Sequence, residues 1–284
     1  VVSAIENLFR ETSVPDDLRD SSFARDGIWL TWSSAFRKFA SRLRRRQPAV
    51  RPPQVVRVGC DSHYDRTFTS DPSVFEDDEL AAELHRYAHT LTQLEPGDEL
   101  ILLDGLIGNG LDGLELRDLL AALRDAVVRE RGDQQAALYA PLGSTGPTSG
   151  QFRLHADLYV PHKMMNIFDQ VPADGSGTSL FLGVDDFFGM LSDVGVPPEI
   201  VEQLESLFKR RLERDSFQRM QQLLYPSRRA SWSDRLEQAM ARQCRRLSLR
   251  AGQGYLINDR RWLHGREAPS GGVHPRRLHR LVFS

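Results

Sequence analysis

Lysine and cysteine are nearly missing from this chain. Lys38, Lys163 and Lys209 are the only lysines among its 37 basic residues, and Cys60 and Cys244 are its only cysteines. Two cysteines so far apart form no CxxC pair, which excludes a disulfide framework and a thiolate zinc site and leads to the expectation of a reducing, cytoplasmic setting. No apolar run approaches the roughly 18 residues that cross a bilayer as a helix. A basic excess is also absent: the formal charge of −2 offers no global attraction to nucleic acid or to an anionic membrane, so neither is expected as a partner. The chain opens on Val1 with no charged-then-apolar leader, the mark expected of a trimmed N-terminus.

What is present is enough apolar material for a substantial core, 40% of 284 residues. Trp32, Phe36, Phe39 and Leu43 recur at helical spacing, and that helix ends in the arginine run 42–46, where cations favour the macrodipole. A second amphipathic helix buries Leu80, Leu84, Tyr87, Leu91 and Leu94. Its His85 and His89 lack the glutamate of an HExxH motif and read as surface histidines. Strands are expected at "ELILLDG" and "QQAALYAPL" with the helix "LELRDLLAALRDAVVRER" between them, then at about Thr178–Val184. Helices return from Pro197 to about Arg246. Short strands close the chain at "RLSLR", "GYLIND" and "RRLHRLVFS". Helices first, strands in the middle, a helical insertion at about 195–246 and strands at the end fit antiparallel sheets packed face to face, with helices supporting one outer side, in a single domain spanning 1–284.

One strand is oddly polar. In "SGQFRLHADLYVPH", alternation puts Phe152, Leu154, Ala156 and Leu158 on a core face and Arg153, His155, Asp157 and Tyr159 on the other, so an imidazole and a carboxylate share one side. A second histidine, His264, follows the polar turn at 259–261. Two imidazoles and one carboxylate form the 2-His-1-carboxylate set of non-haem iron oxygenases, which leaves coordination positions open. In "HPRRLHRLVF", Arg276 and Arg280 are four apart and share one strand face, where two guanidinium groups can grip carboxylates.

These residues, "HAD" at 155–157, "GTSLF" at 177–181, "NDRRWLHGREAP" at 258–269 and "RRLHR" at 276–280, resemble the Fe(II)/2-oxoglutarate-dependent dioxygenases of the taurine dioxygenase and clavaminate synthase-like branch. The likeness covers about the C-terminal half. It implies a mainly β fold with helices, a double-stranded β-helix (jelly roll, cupin-like) core with supporting N-terminal helices. By the same resemblance His155, Asp157 and His264 look like the iron ligands. Thr178 looks like the threonine at the distal carboxylate of 2-oxoglutarate, and Arg276 like its arginine, with the adjacent Arg277 leaving the register open by one residue. Arg280 looks like a second arginine, directed to the cosubstrate's inner carboxylate or to an anionic substrate group. Fe(II), 2-oxoglutarate and O2 are the implied cofactor and cosubstrates. Hydroxylation of an unactivated C–H bond in a small molecule, an amino acid or natural-product intermediate, is the implied reaction. Desaturation, cyclisation and epoxidation share its motifs, while Asp157 disfavours halogenation.

Two other functions compete: a non-catalytic cupin-like binding protein, and a hydrolase or isomerase using another divalent metal at the same triad. The two-arginine strand and Thr178, read together as a dicarboxylate pocket, favour the oxygenase over both. The stretch 160–176 is expected as a loop that either closes over the site as a lid or packs Met164, Met165, Ile167 and Phe168 beneath it, with His162 and Lys163 near substrate. Nothing in the sequence sets the oligomeric state.

Overall fold

Period-two burial and runs of buried residues sort the strands into two sheets that face one another. In the computed structural model the described residues are 6, 8–16, 27–46, 54–57, 66–97, 99–105, 113–144, 152–158, 161–172, 176–209, 216–228, 230–268 and 276–284. Cys60 and the Pro-rich stretch after Arg46 lie outside them.

The larger sheet has seven strands: β1 (Phe9–Glu11), β2 (Ile28–Trp32), β5 (Ile101–Asp104), β11 (Gly254–Asn258), β8 (Lys163–Gln170), β13 (Arg276–Phe283) and β6 (Ala137–Ser144), in that spatial order. All neighbours are antiparallel except β2 and β5. The smaller sheet orders β10 (Arg245–Leu247), β9 (Ser179–Gly183), β12 (Trp262–Arg266) and β7 (Phe152–His155), all antiparallel. A hairpin of β3 (Gln54–Arg57) and β4 (Arg66–Thr69) stands beside them.

Between the two sheets, Met164, Phe168, Tyr255, Ile257 and Val282 of the larger pack with Phe181, Leu247 and Trp262 of the smaller. The contact between the Phe181 and Tyr255 rings, 4.9 Å apart and edge-to-face, spans the gap. Helices α1 (Ser34–Arg46), α2 (Asp78–Gln93) and α3 (Gly113–Arg131) cover the other face of the larger sheet, burying Phe36, Phe39, Leu84 and Leu120 against Met165, Ile167 and Leu281. Caps define their starts. The Ser33 side chain accepts from the Phe36 amide at 3.0 Å, and the Asp77 side chain accepts from the Leu80 amide at 3.0 Å. Helices α4 (Val184–Asp193), α5 (Pro198–Lys209), α6 (Ser216–Leu224) and α7 (Ser233–Gln243) run between β9 and β10 and bury Phe187, Leu204, Met220 and Leu236 against Leu154, Leu180, Leu182 and Leu263.

Helices therefore flank both outer sides, where the sequence led us to expect one. The helical stretch also begins earlier than expected, at Val184, because Gly183 ends β9 as the helix's N-cap position. Trp32 belongs to β2 rather than to the following helix, although it stacks on Phe36 at 4.8 Å. The stretch 160–176 is corrected more strongly: Lys163–Gln170 is a central strand, not a lid. It is sandwiched on both faces, so its residues bury in a continuous run and show no alternation. Lys163 Nζ donates to the Thr92 carbonyl and pairs with Glu95, both at 2.7 Å. On the surface, Arg42 pairs with Glu83 and Arg44 with Glu115, as a charged helix end does. His85 packs against Phe75, while His89 meets Glu130 at 2.6 Å.

Close backbone approach singles out Gly254 on β11: a Cβ there would stand 2.1 Å from the Asn166 carbonyl oxygen of β8. Gly189 in α4 has nothing within 4 Å of the same atom. Gly254→Ala is expected to destabilise the chain by about 2 kcal/mol or more through forced backbone shifts. Gly189→Ala is expected to stabilise it by about 0.5–1 kcal/mol. Urea unfolding of the two variants checks the ranking.

Candidate metal centre

Cross-strand pairing on the smaller sheet brings the histidines together. His264 of β12 stands opposite His155 of β7, and their ring centroids lie 4.4 Å apart. Asp157 follows β7 in a turn whose Leu158 has φ 57°, left-handed backbone that a leucine rarely adopts. That turn is held by Asp259, a buried carboxylate that accepts from the Asp157 amide at 3.1 Å and the Leu158 amide at 2.5 Å. Asp259 reads in the sequence as part of a polar turn. Its contacts 101 and 102 residues away leave no local signal.

The result is one cluster: His155, Asp157 and His264 are buried, and one ligand atom from each lies within 4.8 Å of the others. His155 Nε2 is 3.4 Å from Asp157 Oδ1, and His264 Nε2 is 3.7 Å from Asp157 Oδ2 and 3.5 Å from Asp259 Oδ1. Neither Nε2 makes a hydrogen bond although both are buried. His155 Nδ1 lies 2.7 Å from the Arg153 carbonyl, and donating to it leaves the Nε2 lone pair directed into the cluster. Two buried, hydrogen-bond-orphaned imidazole nitrogens beside a carboxylate are the donor set a divalent transition metal requires. The residues fit such an ion.

Electrostatics favour the ligand forms. Burial alone would push the Asp157 carboxyl up, but the Arg280 guanidinium 2.5 Å away, with the two imidazoles, holds it well below the usual carboxylate range. Burial, then the neighbouring His155, lowers His264, which keeps it neutral.

The cluster opens into a cavity of about 400 Å³ whose walls include Phe168, Tyr255, Arg266, Arg276, Leu278 and Arg280. Arg276, Leu278 and Arg280, alternate residues of β13, face this cavity. Arg277 points to the opposite face and meets Asp169 at 2.5 Å. Arg276 lies over the Phe168 ring at 4.3 Å and donates to the Gly177 carbonyl at 2.8 Å and to Ser179 Oγ at 3.0 Å. Burial pushes it down to about 10, still cationic at neutral pH. Arg280 is held by Asn166, its cross-strand partner on β8, at 2.8 Å, as well as by Asp157.

Thr178 is not brought to this place. Its hydroxyl faces Ser248 at 3.3 Å, while Ser179, one residue on and so on the opposite face, meets Arg276. Phe152 was expected on the core face with Leu154, and this too is corrected. Two residues of β7, Arg153 and Leu154, oppose one of β12, Gly265, between the pairs His264–His155 and Arg266–Phe152. This bulge turns Phe152 to the cavity, its ring 4.4 Å from His155. Arg153 turns outward, over Tyr225 at 4.7 Å and 3.8 Å from Glu237.

No protein-family model matches the sequence, and no curated protein matches it. Among solved structures, asparagine oxygenase in complex with Fe(II), 2S,3S-3-hydroxyasparagine and succinate is similar at 13% identity and a TM-score of 0.47, over 90% of this chain and 93% of that one. The non-haem iron oxygenase OrfP in complex with Fe and L-homoarginine is similar at 14% identity and a TM-score of 0.40, over 89% and 93%. Neither identity nor score reaches the level that carries chemistry from one protein to another. No helix among the described residues is long and apolar enough to cross a membrane.

Arg280→Ala leaves Asp157 buried without its cation. Because the wild-type carboxyl is depressed, its contribution to stability is present above the unfolded carboxylate range and lost as pH falls through the folded value. In the variant burial dominates and raises that carboxyl. The variant is expected to lose about 3–5 kcal/mol at pH 7, and the gap to narrow on acidification toward about pH 4. Urea unfolding of both proteins at the two pH values checks the magnitude and the sign.

Proposed function

We propose that this chain is a non-haem Fe(II)- and 2-oxoglutarate-dependent oxygenase that hydroxylates an unactivated C–H bond of a small molecule. The observation that carries the proposal is the pair of buried, orphaned Nε2 atoms beside Asp157, in a cluster whose Asp157 and His264 line the same cavity as Arg276. We read the two facing sheets as a double-stranded β-helix, and the chain as one domain with the α4–α7 stretch inserted between core strands.

In this reading His155, Asp157 and His264 hold Fe(II), and Asp157 is ionised without needing to lose a proton. Arg276 takes the distal carboxylate of 2-oxoglutarate in a charge-assisted, bidentate-capable contact. Ser179 stands beside it in the place first assigned to Thr178. Arg280 keeps Asp157 charged and aimed. The iron supplies the dioxygen chemistry, with overall balance R–H + O2 + 2-oxoglutarate → R–OH + succinate + CO2. The apolar walls exclude bulk water from the reacting carbon. A buried guanidinium in the same cavity as the triad suits a dicarboxylate cosubstrate, which sets the oxygenase ahead of the hydrolase and of the simple binding protein.

Anaerobic addition of Fe(II) and 2-oxoglutarate is expected to raise the weak visible charge-transfer band of a chelated complex. His155→Ala and Asp157→Ala are each expected to abolish it with far-ultraviolet circular dichroism unchanged. Arg276→Ala is expected to raise the 2-oxoglutarate concentration for half-formation at least about ten-fold, and Arg277→Ala to leave it nearly unaltered. A band that survives both ligand substitutions, or the reverse ranking of the arginines, contradicts the proposal.

A further inference from the structure

We infer that Asp169, a buried carboxylate outside the cavity, is a positioning residue that fixes the register of β13 at its first residues and so aims Arg276 at the cosubstrate. The inference rests on the oxygenase reading and adds to it a residue that acts on the site from the opposite face of a strand.

The strand that carries the arginines is gripped from behind. Tyr139 of β6, Asp169 of β8, and Arg277 and His279 of β13 meet there, and none of the four lines the cavity. His279 Nε2 lies 3.1 Å from Asp169 Oδ2, and His279 Nδ1 lies 2.6 Å from the Tyr139 hydroxyl. A carboxylate only accepts, so the Nε2 proton belongs to this contact and Nδ1 is left to the tyrosine. Arg277 Nε reaches the same carboxylate oxygen at 2.5 Å. The side chains of Asp169 and His279 are each 2% exposed whereas that of Arg277 is 53% exposed, so the imidazole carries most of the tie and the guanidinium little. Burial alone would raise the Asp169 carboxyl, but His279 and Arg277 hold it below its usual range.

What this cluster does follows from where it stands. Pairing between β8 and β13 runs evenly from Lys163–Phe283 to Phe168–Leu278 and then jumps to Gln170–Arg277. Asp169 is therefore the extra residue of a β-bulge, and the ladder is interrupted just where the Arg276 end of β13 begins. A slip of one residue there would turn Arg277 to the cavity and Arg276 to the helix-covered face. Asp169 bridges the interruption, because one oxygen holds His279 on one side of it and Arg277 on the other. Fixing register is the best-attested use of a buried ionic group. Phe168, next to Asp169 and pointing the other way, lies under the Arg276 guanidinium at 4.3 Å, so the same short segment meets β13 from both faces. Helix α3 closes over the cluster through Gly113, where a Cβ would stand 2.3 Å from Asp169 Oδ2.

Titrating the Fe(II) protein under argon with 2-oxoglutarate and with 2-oxopentanoate, which has the same chelating end and no distal carboxylate, tests the assignment through the charge-transfer band. Asp169→Ala is expected to raise the half-forming concentration of 2-oxoglutarate about five-fold and to leave that of 2-oxopentanoate nearly unaltered. His279→Asn, too short to reach Asp169, is expected to give the same selective loss, and His279→Gln, which reaches it, to restore most of the wild-type preference. In an Arg276→Ala background Asp169→Ala is expected to add nothing further. A residue that only stabilises the fold lowers the unfolding midpoint without changing the preference between the two acids. An unchanged preference in whichever of Asp169→Ala and His279→Asn folds, or equal weakening of both acids, overturns the inference; so does failure of both to fold, which leaves Asp169 a stabilising role alone. A wild-type protein that gives the band with neither acid removes the oxygenase reading and this inference with it, while a wild-type band with unchanged preference in the variants removes the inference alone.

Discussion

The contact between Asp157 and Arg280 is the constraint on which the site depends. Asp157 belongs to the turn after a strand of the smaller sheet and Arg280 to a strand of the larger, so their 2.5 Å contact ties the two sheets across the core. A carboxylate at that depth stays ionised because the guanidinium offsets its desolvation. Arg280 is in turn fixed by Asn166 on the neighbouring strand, and the Asp157 turn by Asp259. Charge, direction and depth of the carboxylate are thus set by three separate elements before any ion is present. Such outer contacts are what keep metal ligands in place.

The layering explains why the site can be both polar and dry. Helices α1–α3 seal one flank and α4–α7 the other, so the two sheets bury hydrocarbon on their outer faces and leave the inner space to be divided. One part is filled by Met164, Phe181, Ile257 and Trp262. The other is the cavity lined in part by Asp157 and His264. The α4–α7 stretch does more than cover: Tyr225, which follows α6, donates to the Leu154 carbonyl at 2.8 Å, and Phe217 reaches the cavity wall. What flanks the smaller sheet therefore also shapes what can enter.

The parts legible in the sequence were those governed by short-range periodicity. The four-residue spacing of Arg276 and Arg280 puts two side chains on one strand face, and the structure keeps them together; His155 and Asp157 also meet, but Asp157 comes from the turn after β7 and not from strand alternation. Amphipathic helices with caps, such as α2 behind Asp77, were legible for the same reason. The rest depended on facts that no local pattern records. The β7 bulge reverses Phe152, and the glycine that makes room for it, Gly265, stands on the facing strand far along the chain, where a Cβ would lie 2.7 Å from the Phe152 carbonyl oxygen. A one-residue choice between Thr178 and Ser179 turns on which face β9 shows to β13. The strand β8 hides its alternation because both of its faces are buried, and Asp259 acts through backbone amides about a hundred residues away.

The central claim is that three side chains, His155, Asp157 and His264, hold one ion. A crystal grown without oxygen with Mn(II) and 2-oxoglutarate, measured at the manganese edge, tests it most directly. The account expects one anomalous peak about 2 Å from both Nε2 atoms and from an Asp157 oxygen, with the cosubstrate's far carboxylate on Arg276. A well-ordered crystal whose peak lies elsewhere, or which shows none among these three residues, contradicts it.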